Sequence, residues 1–254
     1  MNFVSDNQLY QFLKEPQIKL LDSGSQGQCY HDRSNNRVYK IFNGFFDVED
    51  KIDYNSEDIL KFSKVLNSTY IWASDVITVN NEVVGYVTPY IRGVNLCRIN
   101  PLNIDMVKLI YDLENVYKDN VTISKNGIVA YDVMYNILYG KKGINIIDTD
   151  DYNFNYFGRS YEEILKINNR NINYAFKVFL VDNYFDEFVN RFNELREMYN
   201  DLDLESTIFI LELQRKLSEY LESEIVCLKD ALQLKNKKKI REKDLKIRRL
   251  LWIF

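Results

Sequence analysis

The chain has 254 residues and a net charge of −4, with 46% hydrophobic, 28% charged and 14% aromatic residues and only three prolines. That composition excludes a disordered or low-complexity polypeptide and supplies enough apolar mass for one large domain or two lobes. Three widely spaced cysteines, Cys29, Cys97 and Cys227, with the single histidine His31, argue against a disulfide framework or a zinc site, and no apolar run nears the length of a membrane span or a secretion signal, so the expectation is a cytoplasmic chain without a transmembrane segment.

Residues 8–14 carry a short helical pattern that Pro16 ends, and a strand begins over 18–21. The run Ser23-Gly24-Ser25-Gln26-Gly27-Gln28-Cys29-Tyr30 is a glycine-bearing turn, followed by a polar connection over 31–36 and a second strand over 37–42. A dinucleotide fingerprint needs its glycines to open a helix, and 29–42 has no helical period. A glycine-rich hairpin instead offers backbone N–H groups to phosphates, although a plain loop with two glycines looks the same. Lys40 lies mid-strand, with Val38 and Phe42 on its face. A lysine there is an ordinary edge residue unless a phosphate or carboxylate stands opposite. Over 56–66, Ile59, Phe62 and Leu66 fall at helical spacing, Ser56 is placed to cap, and Glu57 sits in the first turn, where an acid suits the helix dipole. Strands are predicted over 71–79 and 82–91 around Asn80-Asn81, and Arg92-Gly93-Val94-Asn95 takes the chain out of the sheet. Beyond Leu102, residues Met106, Leu109, Ile110, Leu113, Val116 and Tyr117 share one helical face.

The stretch 129–151 predicts a second hairpin, with strands over 137–139 and 144–147 about Gly140-Lys141-Lys142-Gly143. Asp132 and Asn136 precede its first strand, and Asp148 and Asp150 follow its second, so oxygen-bearing side chains converge at one end. Magnesium takes such ligands, through one or two carboxylates plus substrate phosphates. A surface hairpin with polar ends has the same pattern. An Asn- and Tyr-rich stretch over 153–173 comes next, then two helical patterns, marked by Phe185, Phe188, Phe192 and Leu195 and by Ile210, Leu213, Leu217, Tyr220 and Leu228. Positions 235–249 hold nine Lys or Arg and two acids, which leaves −11 on the remainder. Ile240, Ile247, Leu251 and Phe254 recur in this basic tail, which suits docking on the acidic body itself, on an anionic partner or membrane surface, or on nucleic acid. The expected division is a sheet lobe over 1–90, a helical lobe over 91–234 and a basic amphipathic helix or tail over 235–254.

In order and spacing these segments resemble the protein kinase-like superfamily over nearly the whole chain, in a divergent form of bacterial or phage type with a short activation segment. Gly24 and Gly27 match the second and third glycines of the family's phosphate loop, and Cys29 stands where a valine usually covers adenine. Val38-Tyr39-Lys40 looks like the strand tripeptide with the phosphate-binding lysine, and Glu57 like the helix acid that pairs with it. Thr88-Pro89-Tyr90-Ile91 resembles the hinge, with Thr88 as gatekeeper. Asp132 and Asn136-Ile137-Leu138 resemble the catalytic loop, and Asp148 the metal-binding aspartate. The resemblance implies an α+β, bilobal fold, with a small antiparallel sheet and one helix in the N-lobe and a mostly helical C-lobe. It also implies transfer of the γ-phosphoryl group of ATP, with magnesium, to a protein or small-molecule hydroxyl. Lys40, held by Glu57, would then orient phosphates, and Gly24, Gly27, Cys29, Thr88 and Tyr90 would bind the nucleotide. Asn136 and Asp148 would hold the metal with Asp150 as a further contact, and Asp132 would accept the hydroxyl proton.

The departures are specific. Asp22 occupies the first glycine's position, Ala130-Tyr131 replace the His-Arg pair, and only three residues separate Asp132 from Asn136 instead of four. Asp148-Thr149-Asp150 replaces Asp-Phe-Gly, and no Ala-Pro-Glu follows. A pseudokinase that binds a nucleotide or a partner without turnover, and a kinase-like nucleotidyltransferase, are the other functions this pattern admits.

Overall fold

A computed structural model describes residues 1–47, 54–155, 157–182 and 184–251, with side chains as far as Lys239. The protein is α+β. Its first half is built on a six-stranded sheet in the order β1-β5-β6-β4-β3-β2, where β1 is Asn2–Phe3, β2 Ile18–Ser23, β3 Gly27–Asp32, β4 Arg37–Phe42, β5 Asp75–Val79 and β6 Glu82–Pro89. The sheet is mixed, where an antiparallel one was expected. Asn2 pairs in parallel with Thr78, and the chain's amino group, bonded to Asp75 at 3.1 Å and to the Val76 carbonyl at 2.6 Å, pins this extra edge strand. The polar connection expected over 31–36 is shorter, because β3 runs to Asp32. Tyr30 packs on the core of one face, so Cys29 on the alternate side looks to the other. At the β5–β6 turn Asn80 and Asn81 both have positive φ, the backbone of a two-residue hairpin turn that asparagine tolerates.

Helix α1, Asp6–Leu13, capped by the Ser5 side chain, lays Leu9 and Leu13 against Ile18, Tyr39, Ile41, Ile77 and Val87 of the sheet. A one-turn α2, Asn43–Phe46, follows β4. Helix α3 is Ser56–Leu60, far shorter than the pattern over 56–66 suggests, and its cap is Asn55 instead of Ser56. Among the described residues three short helices therefore accompany the sheet, where the resemblance implied one.

The second half is helical. A strand β7, Val94–Asn95, and two 3-10 turns lead into α4, Met106–Lys125, whose Leu109, Leu113 and Val116 lie at the centre of the largest core. After β8, Ile128–Val129, comes the predicted hairpin, β9 Ile137–Gly140 and β10 Gly143–Ile146, with Ile137 opposite Ile146. Gly143 has φ +96°, and a Cβ there would come within 2.9 Å of the Asp112 carboxylate, so the tight turn requires glycine. Strand β11, Asn153–Phe154, pairs back on β8. The Asn-rich stretch then becomes α5, Tyr161–Val181, opened by a Ser160/Glu163 capping box. Helices α6 Asp186–Arg191 and α7 Asn193–Asn200 divide the first aromatic stripe at Phe192, and α8 Ser206–Leu221 carries the second as far as Tyr220, with Leu228 falling in the helix that follows.

Helix α9, Leu228–Leu251, contains the basic segment. Lys235 is largely buried, Lys238 donates to the Tyr220 carbonyl, and Lys239 lies 3.8 Å from Glu187, so the start of the tail packs on the chain's own body. The side chains of Ile240, Ile247, Leu251 and Phe254 lie outside the described residues. Among the described residues no helix is long and apolar enough to cross a membrane.

Candidate functional site

A cleft of about 610 Å³ opens between the six-stranded sheet and the β9–β10 hairpin. Its roof is the turn between β2 and β3, and its inner wall is the face of β3, β4 and β6 that carries Cys29, Lys40 and Thr88. Leu138 and Ile147 close it from the hairpin side, giving a cavity with flat apolar walls and polar groups at one end. Gly27 is needed at the roof because a Cβ there would meet the Ile41 carbonyl at 2.4 Å, whereas one on Gly24 has no neighbour nearer than 3.9 Å. The turn is fastened at both sides. Asn43 donates to the Gly24 and Ser25 carbonyls at 3.2 and 2.8 Å, and Gln26 accepts from Lys40 at 2.9 Å while donating to Asp151 at 2.6 Å.

At the polar end, Lys40 is desolvated in the middle of β4. Its ammonium donates to Asp148 and lies 3.3 Å from both oxygens of Asp150. Tyr86, directly across the ladder from Lys40, donates through its hydroxyl to Asp150 at 2.9 Å and to Asp148 at 3.1 Å, and its ring lies 5.4 Å from the ammonium. Burial alone would depress the Lys40 pKa, but the charges of Asp150 and Asp148 outweigh it and raise it. The two acids diverge. Burial opposes ionisation of both; for Asp148 the Lys40 charge and hydrogen bonds win and hold the carboxyl below its usual range, while for Asp150 burial and the Asp148 charge prevail over Lys40 and push it up.

Asp132 stands exposed at the mouth of the cleft on the loop that joins β8 to β9. Helix α5 fixes the root of that loop: Asn168 accepts from the Ala130 N–H at 2.9 Å, and Asn171 donates to the Ala130 carbonyl at 2.8 Å. Asn136 donates to the Asp132 carbonyl at 3.0 Å, so the shortened loop closes on itself. Asp132 and Asp148 have φ values of +46° and +57°. Left-handed backbone at non-glycine residues outside a turn costs free energy and concentrates where a side chain must be aimed. Here it falls on the two aspartates the sequence singles out for chemistry.

Of the sequence-predicted residues, Gly24, Gly27, Cys29, Lys40, Thr88, Tyr90, Asp132, Asn136 and Asp148 all line this one cleft. Tyr90 does so while stacked on His31, with ring centroids 3.7 Å apart. Two residues fall elsewhere. Glu57 is exposed in the first turn of α3, while the partners of Lys40 are Gln26, Asp148 and Asp150. Asp150 lies behind Lys40, away from the cleft wall. Asp22, at the first glycine's position, turns to Arg98 at 3.4 Å, at the outer rim. Sequence reasoning passed over Gln26 and Tyr86. The signal for Tyr86 was its alternation with Thr88, which puts both on one side of β6.

No three His, Cys, Asp or Glu side chains form a metal-ligating group among the described residues. Asp22, Asp132, Asp148 and Asp151 all line the cleft, and of its oxygen donors the Asp148 carboxylate and the Asn136 amide are a pair that fits magnesium, which completes its shell with waters and phosphate oxygens. A second cavity, of about 630 Å³, lies by Phe42, Tyr54 and Asn80 and gathers none of the residues above. A scan against protein-family models finds no match, and a search of the curated proteins finds no significant one.

Proposed function

We propose that the protein is a phosphotransferase of protein kinase-like, bilobal architecture that moves the γ-phosphoryl group of ATP to a hydroxyl on a protein or small molecule. One observation carries the proposal: a desolvated strand lysine, a glycine turn above it and left-handed aspartates from both sides of one hairpin converge on a single cleft large enough for a nucleotide. Fold alone would not carry function, but this is a constellation of chemical groups. Leu138, Ile147, Val38 and Thr88 offer apolar walls for a base, and the turn between β2 and β3 would cover the phosphates.

On this reading Lys40 neutralises the α and β phosphates. Magnesium, held by Asp148 and Asn136, would supply charge neutralisation at the phosphates. Asp132 takes the proton of the acceptor hydroxyl as its oxygen bonds to the γ-phosphorus. The bond from that phosphorus to the bridging oxygen breaks, and ADP leaves with the electron pair. Asp132 is free for this because it is exposed at the mouth.

A second reading, a nucleotide- or partner-binding pseudokinase, is favoured by one observation: Lys40, Asp148, Asp150 and Tyr86 satisfy one another's charges and hydrogen bonds from within the chain. The decisive variant is Asp132→Asn. Lys40→Ala is the poorer choice, since it leaves partly buried carboxylates without their cation, a change that costs about 3–5 kcal/mol where burial is complete. Wild type and Asp132→Asn are compared for magnesium-ATP affinity by calorimetry and for phosphate transfer to protein and small-alcohol panels by mass spectrometry. Equal affinity with turnover lowered about 10²-fold or more supports the phosphotransferase. Binding without transfer in either protein leaves the pseudokinase, and absence of magnesium-ATP binding in wild type overturns the phosphotransferase and the nucleotide-binding form of the pseudokinase.

A further inference from the structure

A buried ammonium is held in place by the anions packed around it, and the deepest of these is the one an arriving ligand is least able to displace. Lys40, 6% exposed, has two carboxylate neighbours that differ in position. The Asp148 side chain is 34% exposed and forms part of the cleft wall, where a metal or phosphate would compete for it. The Asp150 side chain is 8% exposed and lies behind the lysine, with both oxygens 3.3 Å from the ammonium. Tyr86 holds Asp150 there through its hydroxyl at 2.9 Å. The intervening Thr149 pins the segment by donating to the Ile71 carbonyl at 3.0 Å. Glu57, the residue the family resemblance assigns to this pairing, is exposed on α3.

We propose that Asp150 is the positioning residue that holds Lys40 for phosphate binding, supported by Tyr86, in the place the resemblance gives to Glu57. Asp148 is thereby released from the lysine to turn toward a metal, and Asp150 is not a metal ligand. The role in phosphate binding rests on the phosphotransferase reading; the pairing itself does not. The anchor and the metal-facing acid sit two residues apart on one segment, so the lysine is set by the same backbone that sets Asp148, without help from a helix.

The test reads Lys40 directly. Wild type, Asp150→Asn, Asp150→Glu and Glu57→Gln are acylated with an amine-reactive ester over a range of pH, without nucleotide, and Lys40 labelling is followed by peptide mass spectrometry. Loss of the anchor leaves Asp148 alone to oppose burial, so Asp150→Asn should shift the labelling profile to lower pH, with the rate at a given pH raised about tenfold for each unit of pKa lost. Asp150→Glu should shift it less, and Glu57→Gln not at all. A profile unchanged in Asp150→Asn, or moved by Glu57→Gln, overturns the proposal. Should Asp150→Asn fail to fold by circular dichroism, the other two variants decide: a shift in Asp150→Glu supports the proposal, and a shift in Glu57→Gln, or no shift in Asp150→Glu, overturns it. Binding of magnesium-ATP to wild type is measured separately. Its absence would sink the phosphotransferase reading and leave the Lys40–Asp150 pairing standing on the labelling data.

Discussion

Cys29 shows how one side chain reports on the cleft. It pairs with Lys40 across the β3–β4 ladder and lines the cavity, and burial, against the pull of Lys40, pushes its thiol up to about 11. The thiolate is the reactive form, and at pH 8 only about 10⁻³ of a thiol of that pKa is ionised. Iodoacetamide at pH 8 should therefore modify exposed Cys97 well before Cys29. The Cys29 rate should climb as the pH is raised from 9 toward 11, and magnesium-ATP should slow Cys29 alone; protection of Cys97 instead would place the nucleotide elsewhere. The sign for stability follows. Between pH 9 and 11 the unfolded chain gives up this proton more readily than the folded one, so this thiol lowers stability as pH rises through that window. At this scale the sequence was informative about which residues meet, since nine of its candidates line one cavity. It gave Lys40 to Glu57 and Asp150 to the metal, because the exposure of Glu57 and the depth of Asp150 behind the lysine are properties of the fold that no local pattern carries.

Among the elements, the β2–β3 hairpin sets a tightly constrained glycine beside an open one. Gly27→Ala would drive a methyl into the Ile41 carbonyl of β4 and should cost about 1–3 kcal/mol, the usual scale of overpacking. Gly24→Ala, three residues away and facing open space, should stay within about 0.5 kcal/mol. Urea midpoints of the two variants check this, and similar midpoints would mean that the strands part easily at Gly27. Hairpins and the apolar face of α4 were legible because alternation and the 3.6-residue period speak plainly there. Helix α5 was not. Its asparagines are poor helix formers, and several are present for tertiary reasons: Asn168 bonds Ser124, the Ile128 carbonyl and the Ala130 N–H, and Asn173 accepts from Tyr117. The local signal that remained was the Ser160/Glu163 capping box. The break at Phe192 was hidden for the opposite reason, since one apolar stripe runs through two helices.

For the molecule as a whole, the acidic body and basic tail are complementary, and the described part of α9 uses that complementarity. Lys238 bonds the Tyr220 carbonyl, lies over the Tyr220 ring at 4.5 Å and approaches Glu222 at 4.0 Å. Exposed ion pairs contribute little, so the larger effect should come from the buried stem of Lys235 and the contacts with Tyr220. Deleting residues 235–254 should lower the melting temperature by about 2–4 °C for each kcal/mol lost in a chain of this size. An unchanged melting temperature, with loss of binding to anionic vesicles, would make the segment an outward-reaching arm. Charge counting was enough to suggest this docking, but the glutamates that receive the tail lie on α6 and after α8 and could be found only in three dimensions.

The side chain of Gln26 spans the cleft with both ends of its amide engaged, one on Lys40 and the other on Asp151. A molecule that is to reach Lys40 or Asp151 must therefore displace this amide. Were that release to precede binding, the observed rate of binding at high ligand concentration would level off at the rate of release instead of rising without limit. Arrival would be slow for reasons unrelated to how tightly the molecule is finally held, and the same latch, closing behind it, would lengthen its stay.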